Sequence, residues 1–355
     1  MKKWTLGLCL LVSLMILALQ GLEAGFLQFD PFGFFKSRLK SAQIYAPVTY
    51  QSLTIIPLAL SENRQTILSF DEALNRNCLK ITEIDGGRVN ELAIENFSDC
   101  PVFIMAGEIL TGCKQDRILQ NDLLLSPHSG KVEIAAFCVE PGRWQEKSDK
   151  FSSGKSITPP SLRQVAKETS SQESVWSSVR TNLKSCSKAA GAQDLDTLGS
   201  QSMQRIYESK KVDGVIQNSS GYFAGLPDKY PAMNGVVVAI NGRILCADLF
   251  TNRKLFRKMW SKLLYSYCLE SLKGGEWDSS ISKRQVTGFL NQAQSAELET
   301  MAYPESGWLY SLEHPRISGS ALLVRNNLIH SALYPKFGNY LEKQSESTPL
   351  YRNYR

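Results

Sequence analysis

From Tyr45 to Trp144 the chain sets short apolar runs between turn-forming residues. Val48 to Leu60 is apolar and β-branched, interrupted at Pro57, and Leu79 to Ile84 alternates before Gly86-Gly87. Val89 to Phe97, Pro101 to Leu110, Asp116 to Leu125 and Lys131 to Glu140 predict further strands, with Ser98-Asp99, Thr111-Gly112, Ser126-Pro127 and Ser129-Gly130 as turns. Asp71 to Asn77 reads as one helical turn. Strands this short and regular predict an antiparallel sandwich or barrel. In the last of them Val132, Ile134, Ala136 and Cys138 share a face. Glu140 closes that face, a carboxylate on the apolar parity.

The pattern changes at Gln145. Residues 145–174 are rich in Ser, Lys, Thr and Gln and contain Pro159-Pro160, which predicts a linker or long surface loop. Helical spacing follows at Val175, Trp176, Val179 and Leu183, behind a capping box at Ser170-x-x-Glu173. Gly235 to Ile240 and Arg243 to Phe250 predict a hairpin on Asn241-Gly242, where a type I′ turn needs positive φ. Thr251 or Asn252 caps a helix to Leu272, with Phe256, Met259, Trp260, Leu263, Leu264 and Tyr267 on its apolar face and Gly274-Gly275 as its stop. Ser282-x-x-Gln285 caps another, and Trp308 to Glu313 and Ile317 to Leu333 predict closing strands, the latter folding at Asn326-Asn327. The fold expected is α+β: an N-terminal antiparallel β-sandwich-like half with a C-terminal half of helices and β-hairpins.

Composition bounds the function. Of 355 residues 43% are apolar and 21% charged, which excludes wholesale disorder, collagen and a coiled-coil rod. The net charge of +6 is too weak to imply nucleic acid. Met1-Lys2-Lys3 precedes an uncharged stretch from Trp4 to Leu19 and then small residues to Ala24. This is the layout of a secretory signal peptide over 1–24, with an uncleaved N-terminal anchor as the alternative. Export makes the protein periplasmic or extracellular. A Phe-rich lead over 25–44 holds Phe26, Phe29, Phe32, Phe34 and Phe35 ahead of Lys36, Arg38 and Lys40. It either touches a membrane or, the favoured reading, covers an apolar groove of its own domain. The β-rich domain then spans 45–144, an α+β region 175–340 and a polar tail 341–355. Seven cysteines follow the signal, none in a CxxC, so no metal site or cofactor is expected. Cys78, Cys100 and Cys113 are the candidates for one disulfide.

Candidate chemistry is concentrated in the strand region: Gly107-Glu108, then Cys113-Lys114-Gln115-Asp116-Arg117, then Glu140-Pro141-Gly142-Arg143-Trp144. A hairpin of 101–110 with 116–125 brings Glu108 near Gln115 to Arg117, and Glu140 joins from a neighbouring strand. Arg117 and Arg143 suit bidentate binding of phosphate or carboxylate, Trp144 suits stacking, and Glu108, Asp116 or Glu140 suits acid–base work or ribose hydroxyls. The competing reading is a buried ion-pair network that pins the hairpins together. His128, His314 and His330 are isolated, and no Walker, Rossmann or Gly-x-Ser-x-Gly motif is present. Arg253, Lys254, Arg257, Lys258 and Lys262 crowd one helix, either as a solvated face or for an anionic partner.

These blocks carry a resemblance. Glu95-Asn96, Gly107-Glu108, Lys114-Gln115-Asp116-Arg117, Cys138-Val139-Glu140 and Arg143-Trp144 resemble the ADP-ribosylglycohydrolase and rhodanese-phosphatase associated protein domain, over about Val48 to Leu333. A glycine often stands in that pattern where Cys113 stands here. The resemblance implies work near ADP-ribose derivatives without a firmly assigned reaction. The function expected is therefore binding or processing of a phosphorylated nucleoside-like ligand, with hydrolysis as the simplest chemistry. Glu108, Asp116 and Glu140 are then the catalytic candidates, and Gln115, Arg117, Arg143 and Trp144 the ligand-binding ones. The alternative is a non-catalytic envelope or surface protein in which the cluster is scaffolding.

Overall fold

The computed structural model describes residues 30–336, apart from 85–87, 89, 194, 196–200, 275–279 and 302–304. The expected signal segment 1–24, Phe26 and Phe29, Gly86-Gly87, Gly275 and the polar tail 341–355 lie outside the described residues. The first part of the chain runs α1 (Pro31–Lys40), β1 (Gln43–Ile44), β2 (Val48–Tyr50), β3 (Leu53–Ala59), β4 (Leu68–Ser69), α2 (Phe70–Asn75), β5 (Leu79–Glu83) and β6 (Glu91–Asn96). There follow β7 (Val102–Ile104), β8 (Glu108–Gly112), β9 (Arg117–Leu119), β10 (Leu123–Leu125), β11 (Gly130–Cys138) and β12 (Phe151–Ile157). Helices dominate next: α3 (Pro160–Thr169), α4 (Gln172–Ala190), α5 (Gln204–Glu208), α6 (Lys210–Ala224) and α7 (Leu226–Lys229). The chain closes through β13 (Gly235–Ile240), β14 (Arg243–Phe250), α8 (Arg253–Ser271), α9 (Lys283–Gln294), β15 (Glu297–Met301), β16 (Trp308–His314), β17 (Ile317–Val324) and β18 (Asn327–Pro335). Helices and sheets are mixed along the chain, so the fold class is α+β.

The described strands form three sheets. A nine-stranded antiparallel sheet has the order β1-β3-β13-β14-β18-β17-β16-β15, with β2 also on β3. A six-stranded one has the order β12-β8-β9-β11-β6-β5, and a small one β10-β7-β4. The large sheet is apolar on both faces because both are covered. Val236, Val238 and Ile240 join Leu53 and Ile55 in a core shared with α3, α4, α6 and α8. Val237 and Ala239 join Ile56 and Leu58 in a second core closed by α1 and α9. That is why Gly235–Ile240 is an unbroken apolar run rather than an alternating one. Strands β1 to β3 thus pair with the C-terminal hairpins, and the two halves of the chain interleave in one sheet. In α1, Phe35 and Leu39 are buried against Phe289 and Leu290 of α9, so the lead segment covers apolar surface of its own domain.

Two predicted strands each divide. Pro101 to Leu110 becomes β7 and β8, and Asp116 to Leu125 becomes β9 and β10, with each half in a different sheet. The pairs still match: Ile104 lies opposite Leu123, and Ile109 opposite Ile118. The break falls at Gly107, where φ is +83° and a Cβ would meet Arg163 Cγ and Thr158 Oγ1 at 2.6 Å. A glycine is required there on both counts. Asp122 satisfies the bend, its Oδ1 accepting the Ala106 N–H at 2.9 Å.

Residues 145–174 are not a linker. Phe151 and Ile157 are buried, and β12 pairs with β8 from Phe151↔Gly112 to Ile157↔Glu108. Pro160 opens α3 at a first-turn position, where its missing N–H costs nothing. The polar composition reflects a strand that is buried at its ends and solvated in its middle, not a loop. The cap expected at Ser170 sits one residue on, where Ser171 accepts the Ser174 N–H and Glu173 pairs with Arg180. Asn252 and Ser282 cap α8 and α9 as their spacing predicts, and Asn241 and Gly242 turn the β13–β14 hairpin at φ +50° and +71°. The second closing turn lies at Arg325-Asn326, since Val324 pairs with Asn327. Cys78, Cys100 and Cys113 carry free thiols, which corrects the expected bridge.

Candidate functional site

At the turn between β8 and β9 the chain takes backbone conformations that side chains disfavour. Gly112 has φ +124° and Cys113 φ +43°. Cys113 therefore occupies a left-handed position, which explains why glycine suits that place in the pattern. The Cys113 carbonyl accepts Arg143 Nη1 at 2.8 Å and the Lys147 N–H at 2.9 Å, so the segment after β11 wraps over this turn. The wrap brings the two carboxylates together. Glu140 accepts the Asp116 backbone N–H at 3.0 Å, and Arg143 Nη2 pairs with Glu140 and, at 3.2 Å, with Asp116 Oδ1. The second Asp116 oxygen accepts Ser202 Oγ at 2.7 Å, and Lys147 Nζ stands 3.6 Å from Glu140 Oε1.

Burial and the nearby Glu140 charge hold the Asp116 carboxyl above its usual range, with the Ser202 bond opposing them. Arg143 is lifted above the ordinary guanidinium value by Glu140 and Asp116, against its desolvation. Glu140 is fully buried, but the cluster has a surface side: Trp144 is 52% exposed and the Lys147 side chain 57%. Lys114 Nζ sits 5.2 Å from the Trp144 ring centroid, a cation–π contact. Gln115 is buried and donates to the Glu140 carbonyl, while its Oε1 finds no donor among the described residues. Asp116, Glu140, Gln115 and Arg143 are thus in mutual contact, and Trp144 follows Arg143 in the chain.

Glu108 stands apart from them, and Arg117 is enclosed within the sheet. Arg117 is fully buried on β9, facing Glu83 at 3.9 Å, and desolvation lowers its affinity for its proton. Glu108 lies at the far end of the β8–β9 ladder, since Ile109 pairs with Ile118 and the turn lies beyond Gly112. There it pairs with Lys262 of α8 and accepts the Met105 N–H at 2.9 Å. Lys262 also meets Asp71 at 2.9 Å, and the two carboxylates outweigh its desolvation and raise its amine. The antiparallel hairpin pairs the right strands, but a residue near one end cannot reach the other. The same helix answers the question of its cations: Arg253 pairs with Glu62, Arg257 with Asp228, Lys258 with Glu72 and Lys262 with Glu108. Four of the five are thus bound within the molecule, and Lys254 is exposed.

A second polar cluster escapes the sequence reading. Arg163 of α3 forms two bonds to Asp248 of β14, Nη1 to Oδ1 at 2.8 Å and Nη2 to Oδ2 at 2.9 Å. Tyr267 of α8 donates to the same carboxylate at 2.5 Å. His330 of β18 faces Asp122 through Nδ1 at 2.7 Å and Asp248 through Nε2 at 3.3 Å. All five side chains are buried. Burial acts against the imidazolium, but the two carboxylates raise His330 above its ordinary value, and His330 and Arg163 hold Asp122 and Asp248 low. Desolvation brings the neighbouring Lys167 amine down to about 8. The available signal was a carboxylate inside an apolar strand, Asp248 within Leu245 to Phe250, whereas Asp122 follows the polar Gln120-Asn121 in a bend and gives no such signal.

Fold and site define an α+β protein whose carboxylate pair, clamped by one arginine and rimmed by tryptophan and lysine, closes the turn end of an antiparallel sheet. The family model of the ARG and Rhodanese-Phosphatase-superfamily-associated Protein domain, ARPP-1, matches residues 41–334, and the chain belongs to that family. No curated protein and no solved structure matches it.

Proposed function

We propose that the chain is an exported protein that binds a phosphorylated nucleoside-like ligand, such as an ADP-ribose derivative, at the Asp116–Glu140–Arg143–Trp144 site. The observation that carries this reading is the exposed Trp144 indole, with Lys114 against its ring, next in the chain to the Arg143 that clamps the Asp116–Glu140 pair. An aromatic face takes a base, cations take phosphate, and carboxylates take ribose hydroxyls. Reading ARG as ADP-ribosylglycohydrolase supports the same ligand class. Export rests on the Met1 to Ala24 pattern. In a hydrolytic form of the proposal Asp116, whose hold on a proton is raised by burial and by Glu140, donates a proton to the leaving group, and Glu140 accepts one from the attacking water.

The test is a thermal-shift series with NAD, ADP-ribose, nucleotides and sugar phosphates on wild type and Trp144→Ala. A ligand at a hundred times its Kd adds about 2.7 kcal/mol of stability. The reading expects such a shift with ADP-ribose in wild type and its loss in the variant. The second reading, a non-catalytic envelope or surface protein, is favoured by the complete burial of Arg117 and Glu140. It expects no ligand shift in either protein.

A further inference from the structure

At one end of the nine-stranded sheet a groove of about 470 Å³ opens between α9 and the strand ends. That is within the range of about 300–1,000 Å³ typical of small-molecule sites. Its floor is apolar, with Ile244, Ile281 and Phe289, and its rim carries Arg243, Arg316 and Lys336. Among the described residues no carboxylate lines it. Lys336 pairs with Glu313 at 2.6 Å, whereas the Arg243 and Arg316 side chains are exposed and form no ion pair among the described residues. Elsewhere the molecule spends its arginines on carboxylates, as at Arg163, Arg253 and Arg257.

A second observation concerns Gly288, in the middle of α9 and on the groove wall. Glycine inside a helix is less stable than almost any other residue. Nothing in the backbone asks for it, because its φ is not in the left-handed region and a Cβ there would meet nothing within 4 Å. What the glycine leaves is the open space of the groove itself.

We propose that this groove is a binding site for a small amphipathic anion, a carboxylate on an apolar body. The body lies on Phe289 and Ile244 beside Gly288, and Arg243 and Arg316 take the carboxylate. The site is independent of the Trp144 cluster. The experiment titrates 1-anilinonaphthalene-8-sulfonate, an aromatic anion, into the full chain and then displaces it with decanoate or decylammonium. We expect one saturable site, emptied by decanoate and not by decylammonium. Arg243→Ala with Arg316→Ala should weaken decanoate by about tenfold or more, the loss of a charged contact. Gly288→Leu should block the site while Tm stays level or rises, since leucine favours the helix. Unchanged binding in Gly288→Leu, or equal displacement by the cationic amphiphile, would overturn the proposal.

Discussion

Two clusters in this molecule use the same chemical groups and differ in closure. In the core, Asp248 has Arg163 on two oxygens, Tyr267 on one and His330 beside it, and every member is buried. At the turn end of the six-stranded sheet, Asp116 and Glu140 share Arg143, but Trp144 and Lys147 reach solvent. The core cluster joins α3, β14, α8, β18 and the bend at Asp122, so its charges position elements that are remote in sequence. A closed network has no partner left to exchange. An open one can trade a protein contact for a ligand contact at little cost to the fold, and that separates a scaffold from a site.

The comparison breaks most sharply at Asp248. Asp248→Ala leaves Arg163 buried without its partner, and the expected loss is about 3–5 kcal/mol by urea unfolding. A loss under 1 kcal/mol, on the same scale as an exposed pair, would dissolve the distinction. Next is Gly107→Ala, which sets a Cβ 2.6 Å from Arg163 Cγ at a φ of +83°. We expect about 1–3 kcal/mol of destabilisation, read as a shift of the unfolding midpoint.

The pH dependence sharpens the contrast. His330 titrates above its ordinary 6.5 in the folded chain, so folded protein keeps a proton the unfolded chain has released. Its contribution is complete below 6.5 and is lost as pH rises through the folded value, with a slope of at most about 1.4 kcal/mol per pH unit. The depressed Asp122 and Asp248 act in the opposite sense, contributing above their ordinary 3.8 and losing it as pH falls through their folded values. His330→Asn should flatten the alkaline limb in a urea series from pH 6 to 9; an unchanged limb would remove His330 from the account.

Most elements were legible because local rules act over a few residues. Asn241-Gly242, the Ser282 capping box and the apolar face of α8 all came from short-range spacing. The cluster at Asp116, Glu140, Arg143 and Trp144 was legible because its residues flank one turn and one strand end. What escaped depends on long-range partners. Nothing near Arg163 shows that Asp248 stands 2.8 Å away across 85 positions. The place of Glu108 escaped because a pattern that pairs β8 with β9 does not say which end of the ladder a residue occupies. The polar residues 145–174 hid a strand because β12 buries its ends and solvates its middle.

The smallest expected stability effect belongs to Trp144, and it carries the central claim. Trp144→Ala removes an exposed side chain, so its urea midpoint without ligand should match wild type to within about 0.5 kcal/mol. The decisive measurement repeats both unfolding curves with ADP-ribose. The account predicts that ligand raises the wild-type midpoint and leaves Trp144→Ala where it was. Equal behaviour of the two proteins with ligand, or collapse of the variant without it, would contradict the division between a closed scaffold and an open site.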